Sequence, residues 1–307
     1  MTVRLARKVN HAWKRYQVDH VVTSVFAPVV KRSDHFFLMG SCFAQEIRLA
    51  MDQVLGADHV VPNYLDVAYD PAHVQIDGLP TYNHLNTYNA YSVLQEVERI
   101  LGLWAPAPDD FWEVAGKLQC PYRRMLFADS LETFVSACSE MDRVLREGFA
   151  VADHFIFTFG MTEIFVNRAS GKVANQKPGY GNGGGKEETD YHRASFAENL
   201  TVVQRLVDLI TAQKPNARIF LTVSPVPLKR THSGEDIFVA NSLSKATLRA
   251  VLGEVVATRP NVTYFPSYEA VMAEGHSAWE ADGRHVQPLL VEAITRNFVD
   301  TYFFAGP

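Results

Sequence analysis

Residues 36–44 read FFLMGSCFA: four large apolar side chains run without a polar break into a glycine, a serine and a cysteine. The chain then continues as FAQEIRLAMDQVL, in which Phe43, Ile47, Ala50, Met51 and Leu55 recur at helical spacing. A short, uninterrupted apolar run predicts a strand buried on both faces, the pattern of a parallel sheet covered by helices on both sides. The order strand, Gly-Ser, helix therefore points to an α/β fold. It also stands the Ser41 hydroxyl at the carboxyl end of a strand, where such sheets form their binding sites.

The same alternation continues along the chain. HVVPNY (59–64), HFIFTFG (154–160), ARIFLTVSPVP (217–227) and NVTYFP (261–266) are predicted strands, and the prolines of SPVP forbid further sheet pairing. Helical spacing marks 88–103, 131–145, 195–212, 241–258 and 288–302. The expected architecture is a three-layer α/β/α domain over 36–307 with about five mostly parallel strands. A basic helical extension is expected at 1–35, and insertions around 62–130 and 167–194. Within these, the irregular stretches 62–90, 104–130 and 167–194 are expected to wall and cover the strand exits. The four strand exits, Gly40-Ser41-Cys42, Gly160-Met161-Thr162-Glu163, Ser224-Pro225-Val226-Pro227 and Pro266-Ser267-Tyr268-Glu269, all present small or polar residues at the same edge.

Bulk composition narrows the function classes. Of 307 residues, 47% are hydrophobic and 21% charged, which suits a globular protein with a full core. A net charge of −5 lacks the basic footprint of a nucleic-acid binder. No run is apolar enough for a membrane span or a signal peptide, so a cytoplasmic location is expected. Cys42, Cys120 and Cys138 are far apart and odd in number, which favours neither a disulfide framework nor a metal site. The glycine run beginning at Gly179 matches G-x-G-x-x-G by letter, but Lys177-Pro178 precedes it instead of a strand, and Glu187, Glu188 and Asp190 follow. That context predicts a flexible loop, not a phosphate cradle, and no cofactor is expected.

Asp282-Gly283-Arg284-His285 lies just before the last predicted helix. Taken alone, it reads as a surface turn with a helix cap. Beside a serine at a strand exit it acquires chemistry. A hydroxyl is a weak nucleophile at neutral pH and needs an imidazole to take its proton, and the imidazole needs a carboxylate to fix its tautomer. The G-x-S-x-G elbow of α/β-hydrolases is missing.

These residues carry a family resemblance. Gly40-Ser41-Cys42-Phe43-Ala44 looks like the signature of the GSCFA family, a branch of the SGNH/GDSL hydrolase superfamily. FTFGMTEIF (157–165), LTVSPVPL (221–228), NSLSKATLR (241–249), YFPSYE (264–269) and the late D-x-x-H extend the likeness collinearly over roughly 36–300. The resemblance implies a flavodoxin-like three-layer fold, with Ser41 as nucleophile and Asp282 and His285 completing a triad. It implies a serine esterase or O-acyltransferase acting on acylated carbohydrate or polysaccharide, with an acyl donor as a further partner. The backbone N–H groups of Ser41 and Cys42, with Gly160 and Thr162, are the expected oxyanion donors. Thr162 stands where the superfamily carries the Asn of Gly-x-Asn-Asp, and Asp66 stands near the position expected for another block's glycine. Two alternatives stay open: a carbohydrate-binding or scaffolding protein without catalysis, and a thioesterase using Cys42. Cys42 is otherwise expected as a small buried filler. Glu163, Ser224, Asn241, Ser244, Lys245 and Arg249 form a polar set, expected either as a capped, exposed helix face or as substrate contacts. In the second case Lys245 and Arg249, at i and i+4, would receive an anion or pair with Glu163.

Overall fold

The computed structural model describes residues 22, 28–56, 59–61, 74–75, 85–175, 178–179 and 184–304. In chain order the elements are β1 (Phe36–Met39), α1 (Cys42–Leu55), β2 (Val60–Val61), β3 (Val74–Gln75), α2 (Ala90–Ile100), β4 (Trp112–Val114), β5 (Lys117–Gln119), β6 (Phe127–Ala128) and α3 (Leu131–Val151). There follow β7 (His154–Phe159), β8 (Glu163–Asn167), β9 (Val173–Ala174), β10 (Thr189–Arg193), α4 (Phe196–Gln213), β11 (Ile219–Val223), α5 (Ile237–Thr258), β12 (Val262–Tyr264), α6 (Ser267–Glu274) and α7 (Pro288–Tyr302).

The central sheet runs β12-β11-β7-β1-β2, and every pairing in it is parallel. Counted along the chain, that is strand order 2-1-3-4-5, the doubly wound flavodoxin-like order. Each residue of β1, β7 and β11 is buried. The alternation of the pleat divides them between two cores. Phe36, Leu38, Ile156 and Phe220 pack with α1, α6 and α7, whereas Phe37, Met39, Phe155, Phe157, Ile219 and Leu221 pack with α2, α3, α4 and α5. Two covered faces make the expected three-layer α/β/α arrangement. Helix starts follow local chemistry: Ser130 caps α3, Ser195 and Glu198 form a capping box on α4, and Pro288 opens α7.

All three stretches expected to be irregular, 62–90 with β3 among them, contain strands. Within 104–130, β4, β5 and β6 form an antiparallel sheet with β3; within and just before 167–194, β8 pairs with β9 and β10. These strands are two to five residues long and mixed in polarity, so no period of two stands out in them. An ion network fastens the first insertion: Arg123, 1% exposed, forks onto Glu96 at 2.9 Å twice and reaches Asp142 at 2.7 Å. The end of the glycine run is a packed turn. Gly179 N–H donates to Gly184 O at 2.8 Å, and a Cβ on Gly185 would meet the Trp112 ring at 2.6 Å. The intervening residues lie outside the described ones.

The basic extension expected at 1–35 falls mostly outside the described residues. Residues 28–35 are not helical: Val30 bridges to Phe303, and Phe304 N–H donates to Val30 O at 2.9 Å. This segment docks on the end of α7 instead.

Candidate active site

The doubly wound order reverses between β1 and β7, and a crevice opens there beyond the strands' carboxyl ends. Gly40 sets its geometry. A Cβ at this position would lie 2.1 Å from Thr158 Oγ1 and 2.9 Å from Thr158 O, so only glycine lets the two strands close up. Ser41 follows as the N-cap residue of α1, yet its side chain caps nothing. Its Oγ instead donates to Ser224 Oγ at 3.2 Å, just beyond the end of β11. Both serines are buried.

The D-x-x-H segment is a built unit. Asp282 Oδ1 accepts the amides of Arg284 at 2.9 Å and His285 at 3.0 Å, and Oδ2 lies 2.5 Å from His285 Nδ1. The His285 and Arg284 amides, followed by the imidazole, hold the Asp282 carboxyl down at about 2. Asp282 is therefore anionic at neutral pH and accepts from Nδ1–H, leaving Nε2 for the pocket. Ser41 and His285, from opposite ends of the chain, line one pocket of about 400 Å³. No hydrogen bond joins them in this structure; the Ser41 hydroxyl is turned to Ser224.

The expected oxyanion donors are mostly engaged elsewhere. Ser41 N–H donates to Thr158 Oγ1 at 3.3 Å, and Gly160 N–H to Tyr88 O at 2.9 Å. The Thr162 amide and hydroxyl both turn to Ser244 Oγ, at 2.8 and 3.3 Å, and Thr162 is not on the pocket wall. Cys42 N–H is different, because the first amide of a helix has no intrahelical acceptor. Asn89 enters as a group that sequence reasoning missed. Thr87 N–H donates to Gly40 O at 2.8 Å, so segment 87–89 is laid between the exits of β1 and β7. Asn89 Oδ1 caps α2 through Ser92 N–H at 2.9 Å, which leaves its Nδ2 as a donor on the pocket wall. The signal available was an Asn, a preferred N-cap residue, at the start of a predicted helix. Asp66 lies outside the described residues.

The polar set after β7 and β11 serves as scaffolding more than as an open face. Lys245, expected to meet an anion or Glu163, is 1% exposed and donates to Gly160 O at 2.7 Å and Val226 O at 2.8 Å. Arg249 pairs with Glu269 at 2.7 Å and stacks on Tyr264. Asn241 Oδ1 accepts Leu228 N–H at 3.0 Å, and Glu163 accepts from Thr231 Oγ1 at 2.5 Å and His232 N–H at 2.9 Å. For Lys245 and Glu163 the reason is location: both are buried behind the loop that follows β11, where burial obliges each to find a partner, whereas Asn241 and Arg249 are half-buried.

Burial pulls the Lys245 amine down to about 7, from 10.5. Between these values the unfolded chain holds a proton that the folded one lacks. Stability from this group therefore rises with pH across that window and is lost as pH falls through about 7. The Tm of wild type minus that of Lys245→Met is expected to rise from pH 6 to pH 9 (about one unit below to two above that value). A gap independent of pH would contradict a neutral buried amine.

Cys42 lines the same pocket, and burial pushes its thiol up, which keeps it protonated. Glu280, Asp282 and His285 each offer an exposed ligand atom, all within 4.8 Å of one another. Among the described residues this is the one cluster with the donor types of a cation site, and it shares His285 with the Ser41 pocket. Arg124, Lys229, Arg230 and Arg284 also line the pocket.

The fold and pocket together define a doubly wound α/β protein with a hydroxyl, an imidazole and four cations gathered at its topological switch point. The model of the GSCFA family matches residues 35–298, and the chain belongs to that family. A comparison with curated proteins found no match.

Proposed function

We propose that this protein is a serine esterase or O-acyltransferase of the SGNH type, acting on an acyl ester through an acyl-Ser41 intermediate. The observation that carries the reading is one pocket holding a buried, non-capping serine and an imidazole whose Nδ1 is held by Asp282. The Ser41 hydroxyl turns from Ser224 toward His285 Nε2, which takes its proton as Oγ bonds to the ester carbonyl carbon. Asp282 stabilises the imidazolium. Cys42 N–H and Asn89 Nδ2 are the donors assigned to the oxyanion, where one such donor is worth roughly 2.7–4 kcal/mol. Collapse breaks the ester C–O bond, and His285 returns the proton to the leaving alkoxide. Water or a sugar hydroxyl then attacks acyl-Ser41, giving its proton to His285 and restoring Ser41. Acylated carbohydrate as substrate rests on the family resemblance alone.

A fluorophosphonate probe is expected to label the folded protein on the peptide containing Ser41, unaffected by a metal chelator or by prior iodoacetamide. Label on another residue, or none, removes Ser41 from the scheme and favours a binding or scaffolding role. Loss of activity with chelator moves the chemistry to a cation at Glu280, Asp282 and His285. Loss with iodoacetamide, and its retention in Ser41→Ala, moves it to Cys42.

A further inference from the structure

The loop after β11 is held with unusual care for a surface segment. Lys245 Nζ grips Val226 O at 2.8 Å, Asn241 takes Leu228 N–H, and Glu163 takes Thr231 and His232. Arg284 Nε reaches Pro227 O at 3.4 Å from the segment that carries His285. Between these anchors stand Lys229 and Arg230, both exposed and both on the pocket wall. Arg124 is on the same pocket wall, its guanidinium 5.9 Å from the centroid of the Tyr88 ring. Among the described residues, four cations thus face a single wall carboxylate, Glu163, whose two oxygens are already occupied by Thr231 and His232. The chain as a whole carries −5. The wall itself carries more positive than negative groups, with Asp282, Glu280 and Glu46 standing beside it near His285 and Cys42, in a concave site where field lines focus.

We infer that the Ser41 pocket selects an ester bearing an anionic group, a phosphate or a carboxylate, seated against Lys229, Arg230, Arg284 and Arg124. This inference rests on the esterase reading for its turnover arm, and has a binding arm that does not. Apolar Phe165, Met161 and Ala174 complete the wall, so the rest of the substrate has a non-polar side to lie on. Guanidinium groups suit both anions, because their forked donors match two oxygens at once.

Two pairs of esters test the inference. In the first the anion is on the acyl side: mono-4-nitrophenyl glutarate against 4-nitrophenyl butyrate. In the second it is on the leaving side: the acetate of 4-hydroxyphenyl phosphate against phenyl acetate. A preference in kcat/KM of at least about tenfold for the anionic member of one pair is expected, shrinking between about 0.1 M and about 1 M salt. The pair that shows it locates the anion. In Lys229→Gln/Arg230→Gln, whose side chains are exposed and leave the core untouched, that ratio is expected to fall about tenfold. Equal rates for both members of both pairs overturn the inference while leaving the hydrolase intact. If no ester is turned over and Ser41 is not labelled, the hydrolase reading fails instead. Calorimetric titration of Ser41→Ala with the same esters then decides the inference separately. Tighter binding of an anionic ester than of its neutral twin, lost in the double variant, supports it; equal or undetectable binding of all four overturns it.

Discussion

Ser41→Ala is expected to abolish the burst of 4-nitrophenol from 4-nitrophenyl acetate and to lower kcat/KM by about 10⁴-fold or more. The size follows from the chemistry: without Oγ no acyl-enzyme forms, and only the remaining donors and the bound geometry act on the ester. The variant is expected to fold normally. Ser41 caps no amide, and its hydroxyl makes one hydrogen bond, to Ser224. Removing it forfeits about 1 kcal/mol. Asp282→Asn tests the same scheme from the other end. The amide keeps an acceptor for the Arg284 and His285 N–H groups but does not hold Nδ1 in its protonated tautomer. A large fall in kcat with the loop intact is therefore expected. A Ser41→Ala protein that keeps its burst would end the covalent mechanism.

Gly40→Ala is expected to cost about 3 kcal/mol of stability, the upper part of the overpacking range, together with most of the activity. The added methyl would start 2.1 Å from Thr158 Oγ1, 2.9 Å from Thr158 O and 3.0 Å from Ala44 Cβ. Thr158 has little room to yield. It is fully buried, its branched side chain is stiff, and its hydroxyl receives Ser41 N–H. Strand β1 must therefore move, carrying Ser41 with it, and a displacement of about 1 Å is enough for a 10²-fold loss. Thr158→Ala removes the nearer contact and leaves the carbonyl, so the double variant is expected to recover part of the stability. Denaturant unfolding of the four proteins in the cycle measures this. Wild-type stability in Gly40→Ala would show that the strand exits are looser than these distances.

Much of the frame was legible from pattern alone, because continuous apolar runs and helical spacing each have one stable use. β1, β7 and β11 are buried on both faces, as their predominantly apolar Phe, Ile and Leu runs require, and α7 spans the expected 288–302. Short mixed strands gave no such signal. β10, TDYHR, exposes four of its five residues and owes its form to pairing with β8. Lys245 shows a similar limit. A lysine on a helix reads as solvent-facing until two carbonyls from distant strand exits are seen to converge on it.

The amino-acid order by itself determined the layered α/β class, the serine at a strand's end and the pairing of Asp282 with His285, since each depends on neighbours within a few residues. Only the tertiary structure decided which amides remain available beside Ser41, that Asn89 stands there, and that Lys229, Arg230, Arg124 and Arg284 share one wall. Those facts depend on where segments far apart in the chain are brought together, and no local periodicity encodes the direction in which a buried hydrogen bond finds its partner.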